Sequence, residues 1–207
     1  MTTRAIAVVS AGLSEPSSSR LLADLLADAT AAQLRASGDE VEVEVLELRE
    51  LAHDLTNHLL TNFASGPLRR AKTAVAEADG LIAVTPIFSG SYNGLFKTFF
   101  DVLDPDALLD CPVLIGATAG TARHSLALDY ALRPLFAYLK AVIVPTGVLA
   151  ATDDWGAHDQ ATTRLAGRVQ RAGSQLAALV SADLRQRADD PFAHPVPFEE
   201  LLKGAEG

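Results

Sequence analysis

A chain of 207 residues is long enough for one α/β domain with an ample core. Its residues are 49% hydrophobic and 21% charged, ordinary for a globular protein, and no apolar run reaches the length a bilayer-spanning helix needs. A net charge of −9 opposes binding to a phosphate polymer, which calls for clustered Lys and Arg, so nucleic acid is excluded as a partner.

The first strand is expected at residues 5–9, AIAVV, where the apolar run is continuous rather than alternating, the pattern of a strand covered on both faces. Such a short run cannot form the core of a signal peptide. The single cysteine, Cys111, can form no intramolecular disulfide, and the chain is expected to stay in the cytoplasm. SAGLSEPSSSR follows, carrying Ser10, Gly12, Ser17, Ser18, Ser19 and Arg20 into a helix predicted over 19–37, with Leu22, Leu25, Leu26 and Ala29 on one face. Free backbone N–H groups, serine hydroxyls and the positive end of a helix together favour a phosphate monoester, although a plain polar N-cap has the same composition. The motifs GxGxxG and GxxxxGKS/T are absent, which counts against a dinucleotide Rossmann site and a P-loop ATPase.

Residues 41–48, VEVEVLEL, alternate strictly and read as a more peripheral strand with one buried face. His53 and His58 stand five apart, off the i, i+4 spacing of a helical metal pair, and read as surface residues rather than ligands. An alanine-rich helix over 67–79 leads into a third strand at 81–84, LIAV. Behind it the stretch VTPIFSGSYNGLFKTFFD (84–101) turns through Pro86, Ser89, Gly90, Ser91 and Asn93 into another helix. Its Gly and Ser backbone can approach a planar heteroaromatic closely, with Phe88 and Tyr92 as apolar edges. Lys97 and Asp101, four apart, are expected to form a modest ion pair.

Cys111 precedes Pro112 and a fourth strand at 113–117, VLIGA, and reads as a small packing residue rather than a nucleophile. After that strand, ATAGTARHS offers Thr118, Gly120, Thr121 and the amides of Ala122 and Arg123 at a helix start, where negative charge on a ligand is stabilised. A long apolar helix is predicted over 123–140, a fifth strand at 142–144 (VIV), and a last helix over 159–182 with Leu165, Val169, Leu176 and Leu179 in repeat. The tail from Ala188 carries Pro191, Pro195 and Pro197, cannot continue a helix, and is expected to run extended. One domain over 1–187 and a Pro-rich tail over 188–207 result. Five strands alternating with helices describe a doubly wound α/β sheet, in which ligands bind outside the carboxyl ends of the strands.

PIFSGSYNGLFKTFFD (86–101) and GTARHSLALDYALRPLFAYLKA (120–141) are the most specific stretches. Through them residues 4 to about 150 resemble the NAD(P)H-dependent FMN reductases of flavodoxin-like fold, especially alkanesulfonate-type reductases and actinobacterial reductases paired with luciferase-like monooxygenases. The resemblance implies a five-stranded parallel sheet in the order 2-1-3-4-5, FMN and NAD(P)H as cofactors, and hydride transfer from nicotinamide to FMN. It places Ser10, Ser17, Ser18 and Ser19 around the FMN phosphate. Around the ring it places Pro86, Ile87, Phe88, Ser89, Gly90, Ser91 and Tyr92 from one loop, and Thr118, Ala119, Gly120, Thr121 and His124 from the next. No catalytic side chain is required, because the flavin carries the chemistry. A homo-oligomer, dimer or tetramer, is implied as well, with the 120–141 segment at an interface, Tyr130 at a π-helical bulge, and a luciferase-like monooxygenase as recipient of reduced FMN. An FMN-containing quinone or azo reductase and a non-enzymatic flavodoxin-like electron carrier would share this site and stay open as alternatives.

Overall fold

Strands covered on both faces need a layer of helices on each side, and successive side chains of the first strand supply both contacts. A computed structural model describes residues 2–156, 160–183 and 185. Its strands are β1 (Thr3–Ser10), β2 (Glu40–Glu47), β3 (Gly80–Phe88), β4 (Ser91–Tyr92), β5 (Pro112–Ala119), β6 (Val142–Ile143) and β7 (Val148–Ala151). The helices are α1 (Ser18–Ala36), α2 (Ala52–Thr61), α3 (Gly66–Glu77), α4 (Gly94–Asp101), α5 (Arg133–Tyr138) and α6 (Gln160–Ser181). Ile6 and Val8 of β1 pack with Ile82, Val84 and Leu114 against α1 and α6, where Leu22, Leu26, Leu165, Val169 and Leu176 are buried. Ala7 and Val9 face the other layer, in which Leu55, Leu68, Phe96, Phe99 and Phe136 come from α2, α3, α4 and α5. Phe100 joins that layer with its ring centroid 4.7 Å from Phe96 and 4.9 Å from Phe136.

The parallel path runs β2-β1-β3-β5-β6, which is the expected order of five with two refinements. First, β4 turns back antiparallel on the end of β3, pairing Ile87 with Tyr92 and Phe88 with Ser91. Second, the fifth strand is in two pieces. Its pairing with β5 shifts from Pro112 opposite Val142 to Gly116 opposite Val148, so residues are inserted on the outer strand. Pro145 lies in the break and has no N–H to give a ladder. The freed carbonyls are taken up by Arg133, whose Nη1 donates to Val144 O at 3.2 Å and Nη2 to Pro145 O at 2.5 Å.

The continuous helix predicted over 123–140 is corrected to three pieces. A 3₁₀ turn spans Ala122–His124, a π-helical turn Leu128–Leu132, and α5 follows from Arg133. Pro134 cannot donate to the carbonyl four residues back, that of Tyr130, and the wider turn absorbs the lost bond. The α2 helix was not foreseen; it carries His53, exposed, and His58, half-buried. The predicted Lys97–Asp101 pair is present, Nζ to Oδ1 at 2.5 Å. The tail expected from Ala188 lies outside the described residues. Among the described residues no helix is long and apolar enough to cross a membrane.

Candidate active site

The carboxyl ends of β1, β3 and β5 bring their loops to one edge of the sheet, and a cleft of about 450 Å³ opens between them. From the first loop it is lined by Gly12, Leu13, Ser14, Ser17, Ser18 and Ser19. Pro86, Ile87 and Phe88 line it from the second, and Thr118, Ala119 and Gly120 from the third. Its size is in the range of cofactor pockets.

Hydrogen bonds hold these loops in register. Ser19 Oγ and Thr118 Oγ1, both buried, lie 2.7 Å apart and fasten the start of α1 to β5. Asn93, buried, donates from Nδ2 to Ala11 O at 2.7 Å and accepts at Oδ1 from Phe96 N at 2.8 Å. One side chain thus caps α4 and ties the loop after β3 to the loop after β1. Thr85 completes the knot by accepting from Asn93 N at 3.2 Å.

Ser17 is the N-cap of α1, its hydroxyl accepting from Arg20 N at 3.2 Å. The first turn of this helix holds no acidic residue, and its leading N–H groups have no helical acceptor. Gly12 packs directly under the cap: a Cβ there would stand 1.9 Å from Ser17 Oγ and 3.0 Å from Ser17 Cβ. Ser17 fills the space a side chain at position 12 would need, and the helix start presents backbone donors and hydroxyls suited to an anion. Arg20 is committed elsewhere. Its Nε donates to Asp24 Oδ1 at 2.8 Å and its Nη1 to Glu47, and the Asp24 bond above all pushes its pKa up. On the loop's far side Glu15 accepts a hydrogen bond from Arg49, which together with the positive charge holds its carboxyl below the usual carboxylate range.

Other expected site residues lie off the lining. Ser10 is buried beneath the cleft at the end of β1. Ser89 and Gly90, with φ of 51° and 85°, are the two central residues of a tight β3–β4 hairpin. Both require the left-handed region that a type I′ turn imposes, which accounts for the glycine. The Gly90 position is open, with no protein atom within 4 Å of a Cβ built there. Ser91 and Tyr92 form β4, and the Tyr92 ring packs 5.8 Å from Phe96. Thr121 and His124 sit on the exposed turn beyond Gly120, with His124 Nδ1 3.4 Å from the Thr121 hydroxyl and carbonyl oxygens.

Four lining residues were not expected from the sequence: Leu13 and Ser14 of the first loop, and Thr152 and Trp155 on a 3₁₀ turn after β7. Asp154 holds that turn, accepting from Ala151 N at 2.8 Å. Cys111, the expected packing residue, is fully buried, and burial pushes its thiol up to about 11, away from nucleophilic duty.

The chain is 35% identical over 176 residues to an FMN reductase (NADPH) of Pseudomonas aeruginosa, covering 84% of this chain and 91% of that one. It is 36% identical to the NADH-dependent FMN reductase SfnE of Pseudomonas putida, over 86% of this chain and 92% of the relative. A crystal structure of an oxidoreductase from Corynebacterium diphtheriae superposes with a TM-score of 0.85 at 47% identity, covering 88% of this chain and 99% of that one. Residues 4–156, which carry every loop of the cleft, match the model of the NADPH-dependent FMN reductase family, and the chain belongs to that family.

Proposed function

We propose that this FMN reductase seats FMN along the 450 Å³ cleft, with the phosphate at the start of α1 and the ring between Pro86–Phe88 and Thr118–Gly120. The observation that carries the reading is the start of α1 at Ser17 and Ser18, whose first turn offers donors and no carboxylate to an anion. FMN supplies the hydride-accepting chemistry, and NAD(P)H the hydride. The chain binds and orients: Asn93 and the Ser19–Thr118 pair hold the donors in place, and the exposed face of Phe88 walls the ring side. Amides of the 120–123 turn would stabilise negative charge developing on a flavin held beside them.

Reduced FMN then leaves for a two-component flavin monooxygenase. Support comes from this helix start itself, because neutral donors without a free cation favour exchange over retention; Arg20 is engaged by Asp24 and Glu47. The resemblance to reductases paired with luciferase-like monooxygenases points the same way. Homo-oligomerisation, as a dimer or tetramer, belongs to this reading, with exposed Leu126, Tyr130 and Tyr138 as the surface.

Ser18→Asp tests the phosphate position. A carboxylate at the first position of α1 favours the helix dipole yet repels a phosphate, so stability and binding should move in opposite directions. We expect the FMN dissociation constant to rise about tenfold or more, riboflavin to change less than about twofold, and the thermal midpoint to hold or increase. Equal losses for both flavins would place the phosphate elsewhere.

A further inference from the structure

Between Ala11 and Ser19, the stretch proposed to receive the FMN phosphate, Glu15 is the only charged residue. A carboxylate next to Ser14 and two residues before Ser17 repels a phosphate dianion unless it is neutralised or held away. Leu13, Ser14, Glu15 and Pro16 are all exposed. Ser14 bonds only within the loop, its hydroxyl donating to Pro16 O at 3.1 Å. Among the described residues one hydrogen bond joins residues 12–16 to the rest of the fold, that from Arg49 to the Glu15 carboxylate.

Arg49 is itself held in place. It lies on the 3₁₀ turn Leu48–Leu51 that follows β2, and the register of the sheet sets Glu47, the last residue of β2, opposite Ser10 at the root of the loop. Arg49 Nε stands 3.1 Å from Glu47 Oε2. Glu47 also accepts from Arg20, and Arg20 Nε donates to Asp24 Oδ1 at 2.8 Å. Asp24, Arg20, Glu47, Arg49 and Glu15 thus alternate in sign from α1, across the end of β2, to the loop. An isolated pair with an exposed carboxylate contributes little, but here the guanidinium is already oriented by Glu47 before it meets Glu15.

We infer that Arg49 is a positioning residue for FMN, which holds and neutralises Glu15 so that the loop after β1 meets the phosphate without an opposing charge. The inference rests on the proposed seat of the phosphate at the start of α1. Riboflavin, which has no phosphate, is indifferent to this arrangement.

The test measures FMN and riboflavin dissociation constants by flavin fluorescence for Arg49→Gln, Arg49→Lys, Glu15→Gln and the double variant Glu15→Gln/Arg49→Gln, with thermal midpoints alongside. In Arg49→Gln the constant for FMN rises about fivefold or more, that for riboflavin stays within about twofold, and the FMN loss shrinks at high salt. Arg49→Lys keeps the positive charge and most of the FMN affinity. Glu15→Gln binds FMN at least as tightly as the parent chain, and the double variant returns to within about twofold of it, because no carboxylate is left to repel. A role as loop tether alone makes the opposite prediction: Glu15→Gln would weaken FMN as much as Arg49→Gln, and the double variant would recover nothing. That result overturns the inference, as do equal losses for the two flavins or an Arg49→Gln chain that binds FMN unchanged. Ser18→Asp is measured beside them. If it loses FMN affinity while Arg49→Gln does not, only this inference fails; if it spares FMN, the seat of the phosphate fails with it.

Discussion

Ser19 and Thr118 form a buried hydroxyl pair, and whichever donates, losing one strands the other away from water. Thr118→Val should therefore destabilise the fold by about 1–3 kcal/mol in urea unfolding, and adding Ser19→Ala should recover part of that loss. Additive losses would mean that the two hydroxyls do not depend on each other. Cys111 makes a different prediction. Because burial raises its pKa from 9.0 to about 11, the neutral thiol is favoured in the folded state, and its contribution is complete below pH 9 and lost as pH rises toward 11. At pH 8 the native protein should not react with a thiol reagent, and unfolding in guanidinium should expose one reactive thiol. Gly90→Val, at φ of 85° in open space, should cost about 1–2 kcal/mol through backbone strain. Riboflavin affinity should fall only as far as the hairpin loosens, and a loss of flavin without loss of stability would return Gly90 to the ring.

At the level of elements, Asn93 is the strut on which two loops depend. Asn93→Ala removes the cap of α4 and leaves Ala11 O without its donor, an expected cost of about 2–4 kcal/mol with weakened FMN binding. Asn93→Asp keeps the cap but loses the amide donor, and should retain part of the stability while still loosening the cleft; full flavin affinity in both variants would remove Asn93 from the site's support. Sequence patterns made the central strands legible because AIAVV, LIAV and VLIGA are continuous apolar runs, and they made the cleft loops legible because Gly and Ser cluster at three strand ends. What stayed hidden shares a physical cause. Periodicity reports which side chains are apolar and says nothing of which carbonyls lack donors, so the split of the fifth strand around Pro145 was invisible in the 123–144 pattern, whereas the π turn at Leu128–Leu132 was expected at Tyr130 from the family resemblance. Glycine in SGSY serves a hairpin turn as readily as it would a ligand loop, since both uses exploit the same backbone freedom. TDDW carries no glycine at all, so nothing in composition marked Thr152 and Trp155 as lining residues.

At the scale of the molecule, an apolar surface is exposed among the described residues on the π-turn side, where Leu126 is 59% exposed, Tyr130 79% and Tyr138 85%. Single exposed apolar residues are common, but three on one short segment call for a partner, and a second copy of this chain is the proposed one. Light scattering at micromolar concentration should report a species heavier than the 21.8 kDa monomer, and Tyr130→Glu with Tyr138→Glu should reduce it to the monomer. Oligomers unaffected by those charges would place the interface on another face.

The outermost strand bears on how the chain behaves when crowded. Among the described residues β2 has only β1 as a neighbour, so its far edge presents backbone donors and acceptors of the kind that template fibrils. Glu42 and Glu44 are exposed along it, and Val43 between them is 39% exposed. Two such edges zipped together would set rows of like charge against each other. These carboxylates therefore act as gatekeepers, and a Glu42→Thr/Glu44→Thr chain, folded and active when dilute, should aggregate with thioflavin-binding character on concentration or prolonged storage.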